Sequence, residues 1–303
     1  MTPFCAAIDW GTSSFRLWLL SEAGAVLAER RSDEGMIRAA SAGFDAVLER
    51  HLADLGIAAN LPVIICGMAG ARQGWREAGY LDTPADVADI VRNATAIGGY
   101  PRDVRILPGI AQRDAGAPDV MRGEETQLLG LVADGVRSGL VCMPGTHSKW
   151  VRLADGKVGS FATYMTGELF DILSHHSILK AATGGASGLA SADAAFLAAV
   201  NSAFTKPSSL ANRLFHVRSA QLLGFEPASE GAARLSGLLI GHELASAMAH
   251  QGANEDVVLV ASGGLGALYR AALEGQGVIL RDCDAGDAAR RGLWSAARTF
   301  WAE

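Results

Sequence analysis

Apolar positions along this chain fall into short blocks whose spacing alternates between that of strands and that of helices. Residues 4–20 read as a strand, a Gly11-Thr12 turn and a second strand. Residues 139–153 repeat the unit with Gly145-Thr146 at the turn, and each copy runs on through an acidic-glycine turn (Glu22-Ala23-Gly24, Asp155-Gly156) into more apolar sequence. A third strand is predicted over 25–30, closed by Ser32-Asp33-Glu34-Gly35. Phe44, Val47, Leu48, Leu52 and Leu55 have helical spacing. The run from Leu61 to Cys66 is apolar throughout and ends in Gly67-Met68-Ala69-Gly70, the pattern of a strand covered on both faces. Thr83-Pro84-Ala85-Asp86 predicts the start of a helix reaching Arg92, residues 104–109 another strand, and residues 118–123 a break.

Beyond that break the pattern predicts a helix over 124–132, the second ribbon, and helices over 169–179, 194–204 and 235–250, with a Gly/Ala/Ser-rich stretch at 183–191. A buried strand over 256–261 then opens through Ser262-Gly263-Gly264-Leu265-Gly266 onto a helix over 267–273, and strand, glycine turn, helix is a geometry suited to nucleotide contact. Two similar ribbons imply two similar α/β lobes, 1–122 and 123–303. A tight glycine turn followed by Thr and Ser offers backbone N–H groups and hydroxyls at one spot, which is what holding a polyphosphate requires.

Half of the 303 residues are hydrophobic, enough to bury two cores of ordinary size. A net charge of −6 and the lack of any long Lys/Arg run exclude a nucleic-acid footprint, and Arg30-Arg31 and Arg290-Arg291 read as solvated surface. No stretch of about 18 apolar residues is present and no basic segment precedes the first strand, so no membrane partner and a cytoplasmic location are expected. Cys5, Cys66, Cys142 and Cys283 are scattered, which fits reduced thiols better than disulfides or zinc.

The Asp9-Trp10-Gly11-Thr12-Ser13-Ser14-Phe15-Arg16 segment, the second Gly-Thr ribbon and the late strand ending in Gly263-Gly264 together resemble the sugar kinase, Hsp70 and actin superfamily. Within it, five strings resemble the 2-dehydro-3-deoxygalactonokinase family: Asp9 to Ser14, Cys66 to Arg72, Met121 to Gln127, Pro144 to Trp150 and Thr166 to Leu169. The resemblance implies two lobes of the actin-like ATPase (ribonuclease H-like) type with a cleft between them. It also implies transfer of the ATP γ-phosphate to the terminal hydroxyl of a small-molecule sugar acid, 2-dehydro-3-deoxy-D-galactonate.

Carried over residue by residue, the resemblance makes Asp9 the holder of Mg²⁺ and sets Gly11, Thr12 and Ser13 along one side of the γ-phosphate, with Gly145, Thr146 and Ser148 along the other. Arg16 would offset charge on the transferring group, or else form a salt bridge on the ribbon face. Gly263 and Gly264 would contact the nucleotide. Related kinases place an acid directly after a glycine at the start of a helix, here Gly123-Glu124, which makes Glu124 the base and Glu125 the reserve. A helix's first turn also attracts acids for its dipole, which is the competing reading of both. At the substrate end stand Gly67, Arg72, Gln73, Trp75, Thr166 and Glu168. Arg72 suits a carboxylate and Trp75 either floors the sugar or packs in the core.

His175-His176 lacks a third ligand nearby, and His242-Glu243 in an apolar helix reads as a packed or capping pair. There is no P-loop, no G-x-S-x-G and no H-R-D. Three rivals remain at this level: a kinase of another sugar or sugar acid, a phosphohydrolase of polyphosphate or nucleotides, and a non-enzymatic ATP switch.

Overall fold

The computed structural model describes residues 2–57, 59–184, 193–251 and 256–302. Contacts group the chain into two compact units. One comprises Met1–Ser138, Leu153–Ser160 and Ala285–Glu303, and the other Gly139–Arg152 and Phe161–Asp284. This grouping divides the chain differently from a single boundary near residue 122.

In the first unit, six strands lie side by side in the order Val26–Ser32, Phe15–Ser21, Pro3–Trp10, Val63–Gly67, Val104–Ile106 and Thr95–Ala96. The first ribbon is antiparallel, with Asp9 opposite Arg16, whereas Pro3–Trp10 runs parallel to Val63–Gly67, with Asp9 beside Cys66. Every residue of Val63–Gly67 is buried, as its unbroken apolar run predicts for a central parallel strand. One face packs on helix Phe44–Ala53 through Phe44, Val47, Leu48 and Leu52, which meet Ile8, Trp10, Leu17 and Ile65. Helix Glu124–Ala133 packs against the long C-terminal helix Ala285–Trp301, whose Ala288, Leu293 and Ala297 are buried.

A second sheet repeats the strand order. Leu280–Cys283, Val257–Val260, Gly139–Met143, Ser148–Ala154 and Lys157–Tyr164 are neighbours in that sequence, and Gly139–Met143 runs parallel to Val257–Val260. Its core joins Leu140, Cys142, Trp150 and Leu259 to Phe196, Val200, Ile240 and Leu244 from helices Ala194–Thr205 and Gly231–Gln251.

Several sequence expectations need correction. Helix formation from Thr83 fails because Ala85–Asp86 pairs with Val158 and Lys157 as a short edge strand, leaving helix only over Asp89–Arg92. The helix after the late strand begins at Gly263 rather than after the glycines, with Ser262 extended before it. Helix Leu210–Leu222 and the C-terminal helix were not anticipated. Arg291 is exposed, as expected, and Arg290 is half-buried; each is paired, with Asp134 and Asp287 respectively. Most of the 183–191 stretch lies outside the described residues. Cys5, Cys66 and Cys142 are buried and Cys283 half-buried, and all four are free thiols. Among the described residues no helix is long and apolar enough to cross a membrane.

Candidate active site

In an open α/β sheet, ligands bind beyond the carboxyl ends of the parallel strands. In the first unit that end carries Asp9, Gly67 and the start of helix Glu124–Ala133. Gly67 adopts φ +87°, and a Cβ there would lie 2.6 Å from the Trp10 carbonyl oxygen, so only glycine lets the two strands end side by side. Gly123 closes on it in turn, its would-be Cβ 3.6 Å from the Gly67 Cα. This brings three acids together at one strand end.

Asp9 is half-buried, and its carboxyl is pushed up to about 6, first by burial and then by the negative charge of Glu124. Arg16 across the ribbon and the Cys66 thiol, which donates to Asp9 Oδ1 at 3.8 Å, act in the opposite direction. Glu124 is half-buried and accepts the Arg122 backbone N–H at 3.2 Å. Its neighbour differs sharply. Glu125 is fully buried, accepts the Gly123 N–H at 2.6 Å and the Thr126 hydroxyl at 3.1 Å, and is pushed up to about 8 by burial and by Glu124. Successive residues of a helix point about 100° apart, which accounts for one acid facing the strand ends and the other facing inward. Glu125 works as the cap that Gly123, without a side chain, cannot supply.

Thr12 and Ser13 are exposed on the first ribbon's turn. The turn is braced by the start of helix Met36–Ala42: Met36 and Ile37 donate their N–H groups to the Gly11 and Thr12 carbonyls at 2.9 and 3.1 Å. Arg16 is half-buried, pairs with Glu29 at 2.9 Å and stacks 4.3 Å from the Trp18 ring centre, so the ribbon-face salt bridge is formed.

Residues expected at the substrate end scatter more widely. Arg72 is exposed, 3.7 Å from Glu77, and Gln73 is exposed beside it. Trp75 is packed among Phe44, Tyr100 and Trp10, with centroid separations of 6.2, 5.4 and 6.4 Å. One residue that the sequence did not single out is Arg122. Its Nη2 donates to the Ala78 carbonyl at 2.6 Å, its guanidinium sits 4.4 Å over Tyr80, and its Nε and Nη1 are buried without hydrogen-bond partners. An arginine just before Gly123-Glu124 was the available signal.

In the second unit, Gly145 and exposed Thr146 form the turn, and the Glu168 N–H donates to the Thr146 carbonyl at 3.0 Å. Glu168 itself meets His147 Nε2 at 2.5 Å. Ser148 does not line the turn: it is fully buried, 2.8 Å from the Tyr269 hydroxyl. Thr166 is buried too, its hydroxyl donating to Glu243. Gly263 and Gly264 are exposed at the first turn of helix Gly263–Gly275. A cavity of about 280 Å³ within this unit is lined by Gly145, Thr166, Gly167, Gly264 and Tyr269 together with Phe170, Leu239, Ile240 and Leu268. It is an apolar slot with a glycine-rich edge, a form that suits a flat heteroaromatic ring.

Among the described residues no three His, Cys, Asp or Glu side chains group to hold a metal by themselves. A hard cation of the magnesium type needs fewer, since it keeps waters and takes phosphate oxygens beside one or two carboxylates. Two partly exposed acids, with Asp9 raised by Glu124, fit such a cation, whose charge would relieve that repulsion.

The sequence profile of the 2-keto-3-deoxy-galactonokinase family matches residues 9–296. A curated relative from Rhizobium meliloti (strain 1021), named "Probable 2-dehydro-3-deoxygalactonokinase DgoK1", is 58% identical over 299 residues, 98% of each chain. The 2-dehydro-3-deoxygalactonokinase of Escherichia coli (strain K12) is 37% identical over 277 residues, 91% of each chain. A crystal structure of a Sinorhizobium meliloti protein described as a candidate 2-dehydro-3-deoxygalactonokinase superposes with a TM-score of 0.96, covering 99% of this chain and 100% of that one at 58% identity. At the level of fold alone, the activator of 2-hydroxyisocaproyl-CoA dehydratase from Clostridium difficile, with bound ADPNP, matches at a TM-score of 0.55 and 11% identity over 97% and 94% of the two chains.

Proposed function

The chain belongs to the 2-keto-3-deoxy-galactonokinase family, and from that premise we propose that it transfers the γ-phosphate of ATP to the terminal hydroxyl of 2-dehydro-3-deoxy-D-galactonate in the cytoplasm. The observation that carries the reading is identity of 58% across 98% of the chain with a relative named for that kinase activity.

Asp9 and Glu124 divide the work at the first unit's strand ends. Asp9 holds the magnesium ion that accompanies ATP, and that ion supplies charge neutralisation to the phosphates. Glu124, partly exposed, accepts the proton of the attacking hydroxyl, a role commonly contributing about 10²- to 10⁴-fold. Buried Glu125 holds the helix start in place instead. Gly11, Thr12 and Ser13 present N–H and hydroxyl donors to the phosphates, as do Gly145 and Thr146, while Ser148 supports its ribbon from inside. The apolar slot beside Gly264 takes the nucleoside. At the sugar acid, Gly67 and its loop contact the hydroxyls, and Arg72 or Arg122 meets the carboxylate.

An ADP-release assay over a panel of sugar acids, neutral hexoses and water alone tests this reading. Turnover should be strongly stimulated by the 2-dehydro-3-deoxy sugar acid and weakly by hexoses. Equal ADP release with and without the sugar acid would instead mark a phosphohydrolase.

A further inference from the structure

Glu243 is a carboxylate with 1% exposure in the middle of helix Gly231–Gln251, and nothing in the chemistry above uses it. Isolated charges are not left in such a place, because desolvation costs several kcal/mol unless hydrogen bonds offset it. Here four donors converge. Oε1 accepts the Trp150 indole N–H at 2.8 Å, Oε2 accepts the Tyr269 hydroxyl at 2.6 Å and the Thr166 hydroxyl, and Ser148 also hydrogen-bonds to the carboxylate. These donors stabilise the ionised form, while burial still pushes the Glu243 carboxyl above its ordinary value.

These donors come from three different segments. Ser148 and Trp150 belong to the second ribbon, Thr166 opens helix Thr166–His176, and Tyr269 lies on helix Gly263–Gly275. Thr166 and Tyr269 line the 280 Å³ cavity, whereas Glu243 stands behind it. By drawing both hydroxyls onto itself, the acid leaves the cavity an apolar face of Leu239, Ile240 and Leu268, and it ties that face to the ribbon that carries Gly145 and Thr146.

We propose that Glu243 is a positioning residue for the nucleotide: bonded from a buried point to the second ribbon through Trp150 and to the nucleoside slot through Thr166 and Tyr269, it holds the phosphate turn and the slot in fixed register. The inference rests on the slot being the nucleoside site. Substituting glutamine keeps the volume but turns N–H donors toward groups that are already donating, so register should loosen while the fold persists.

The test compares wild type, Glu243→Gln and Tyr269→Phe by steady-state kinetics in both substrates, by binding of a fluorescent ADP analogue and by thermal melting. Glu243→Gln should raise the ATP KM and the analogue's Kd about tenfold or more, with the sugar-acid KM within about twofold and kcat at saturating ATP nearly retained. Tyr269→Phe removes one of the four bonds and should shift the same two constants less. A melting temperature that falls while both KM values stay put would show a purely structural acid, as would equal rises in both KM values, and either overturns the proposal. Should Glu243→Gln not fold, Tyr269→Phe decides by the same criterion. Failure of the reading beneath it looks different: wild type that phosphorylates the sugar acid yet shows no competition between ATP and the analogue would remove the slot as the nucleoside site.

Discussion

The two ribbons are built to one plan and hold opposite chemistry. Counting back from each Gly-Thr turn, Asp9 corresponds to Met143, and Trp10 to Pro144. Both turns are braced alike, by backbone N–H groups at the start of a following helix and by a glycine that lets the backbones touch. A Cβ on Gly35 would lie 2.5 Å from the Ser13 backbone, and one on Gly167 would lie 2.6 Å from the Gly145 carbonyl oxygen. What differs is where the acid sits. In the first unit acids stand partly exposed at the strand ends, whereas in the second the acid, Glu243, is sealed behind the ribbon. The two copies share one scaffold, with carboxylates at the strand ends of the first and polar support behind the ribbon of the second.

Removing the acid of the first ribbon should break the comparison most severely. Asp9→Asn keeps shape and deletes the charge proposed to meet magnesium, and kcat should drop by about two to three orders of magnitude, read in the ADP-release assay. Its melting temperature should hold or rise, because burial already disfavours the ionised form. Loss of stability with activity retained in the folded fraction would make Asp9 a structural cap.

Glu124→Gln should follow, lowering kcat by about two orders of magnitude with little change in ATP KM. Glu125→Gln should leave kcat within a few-fold and reveal itself through pH instead. The folded-state carboxyl is raised from 4.5 to about 8, so above pH 4.5 the unfolded chain releases a proton that the folded chain retains, and wild-type stability declines as pH rises toward 8. Glutamine escapes that decline. Its melting temperature, relative to wild type, should be higher by about 3 °C or more at pH 8 than at pH 5. The reverse ranking in kcat would move the base to Glu125.

The smallest effect should come from the braces. Gly35→Ala and Gly167→Ala each force backbone apart, at about 1–3 kcal/mol by the general cost of overpacking, visible as lowered melting temperatures. If the ribbons differ as described, Gly35→Ala lowers kcat through the turn next to Asp9, while Gly167→Ala raises ATP KM through Gly145. Identical kinetic signatures would argue that the ribbons still share one role.

Much of this was legible in the residues because strand periodicity and glycine turns are local. The two ribbons, the buried run at 61–66 and the helix starting at Glu124 follow from neighbours in sequence. Glu243 did not, since its meaning lies in Trp150, Thr166 and Tyr269, which only folding assembles. The segment after Thr83 misled for the same reason: Ala85 finds Val158, and a sheet edge outweighs local helix signals. Glu124 and Glu125 could not be ranked from spacing alone, because burial of the second depends on Gly123 closing over Gly67.

The packing of helix Ala285–Trp301 against helix Glu124–Ala133 sets an order of events during synthesis. Gly139–Arg152 and Phe161–Asp284 leave the ribosome before the residues that complete the first unit, so the unit begun first is finished last. Closing it requires a contact between segments some hundred and fifty residues apart, and such non-local contacts form slowly. Until then the face of helix Glu124–Ala133 that meets helix Ala285–Trp301 is uncovered, so the residues around Glu124 gain their full support only once that helix has docked.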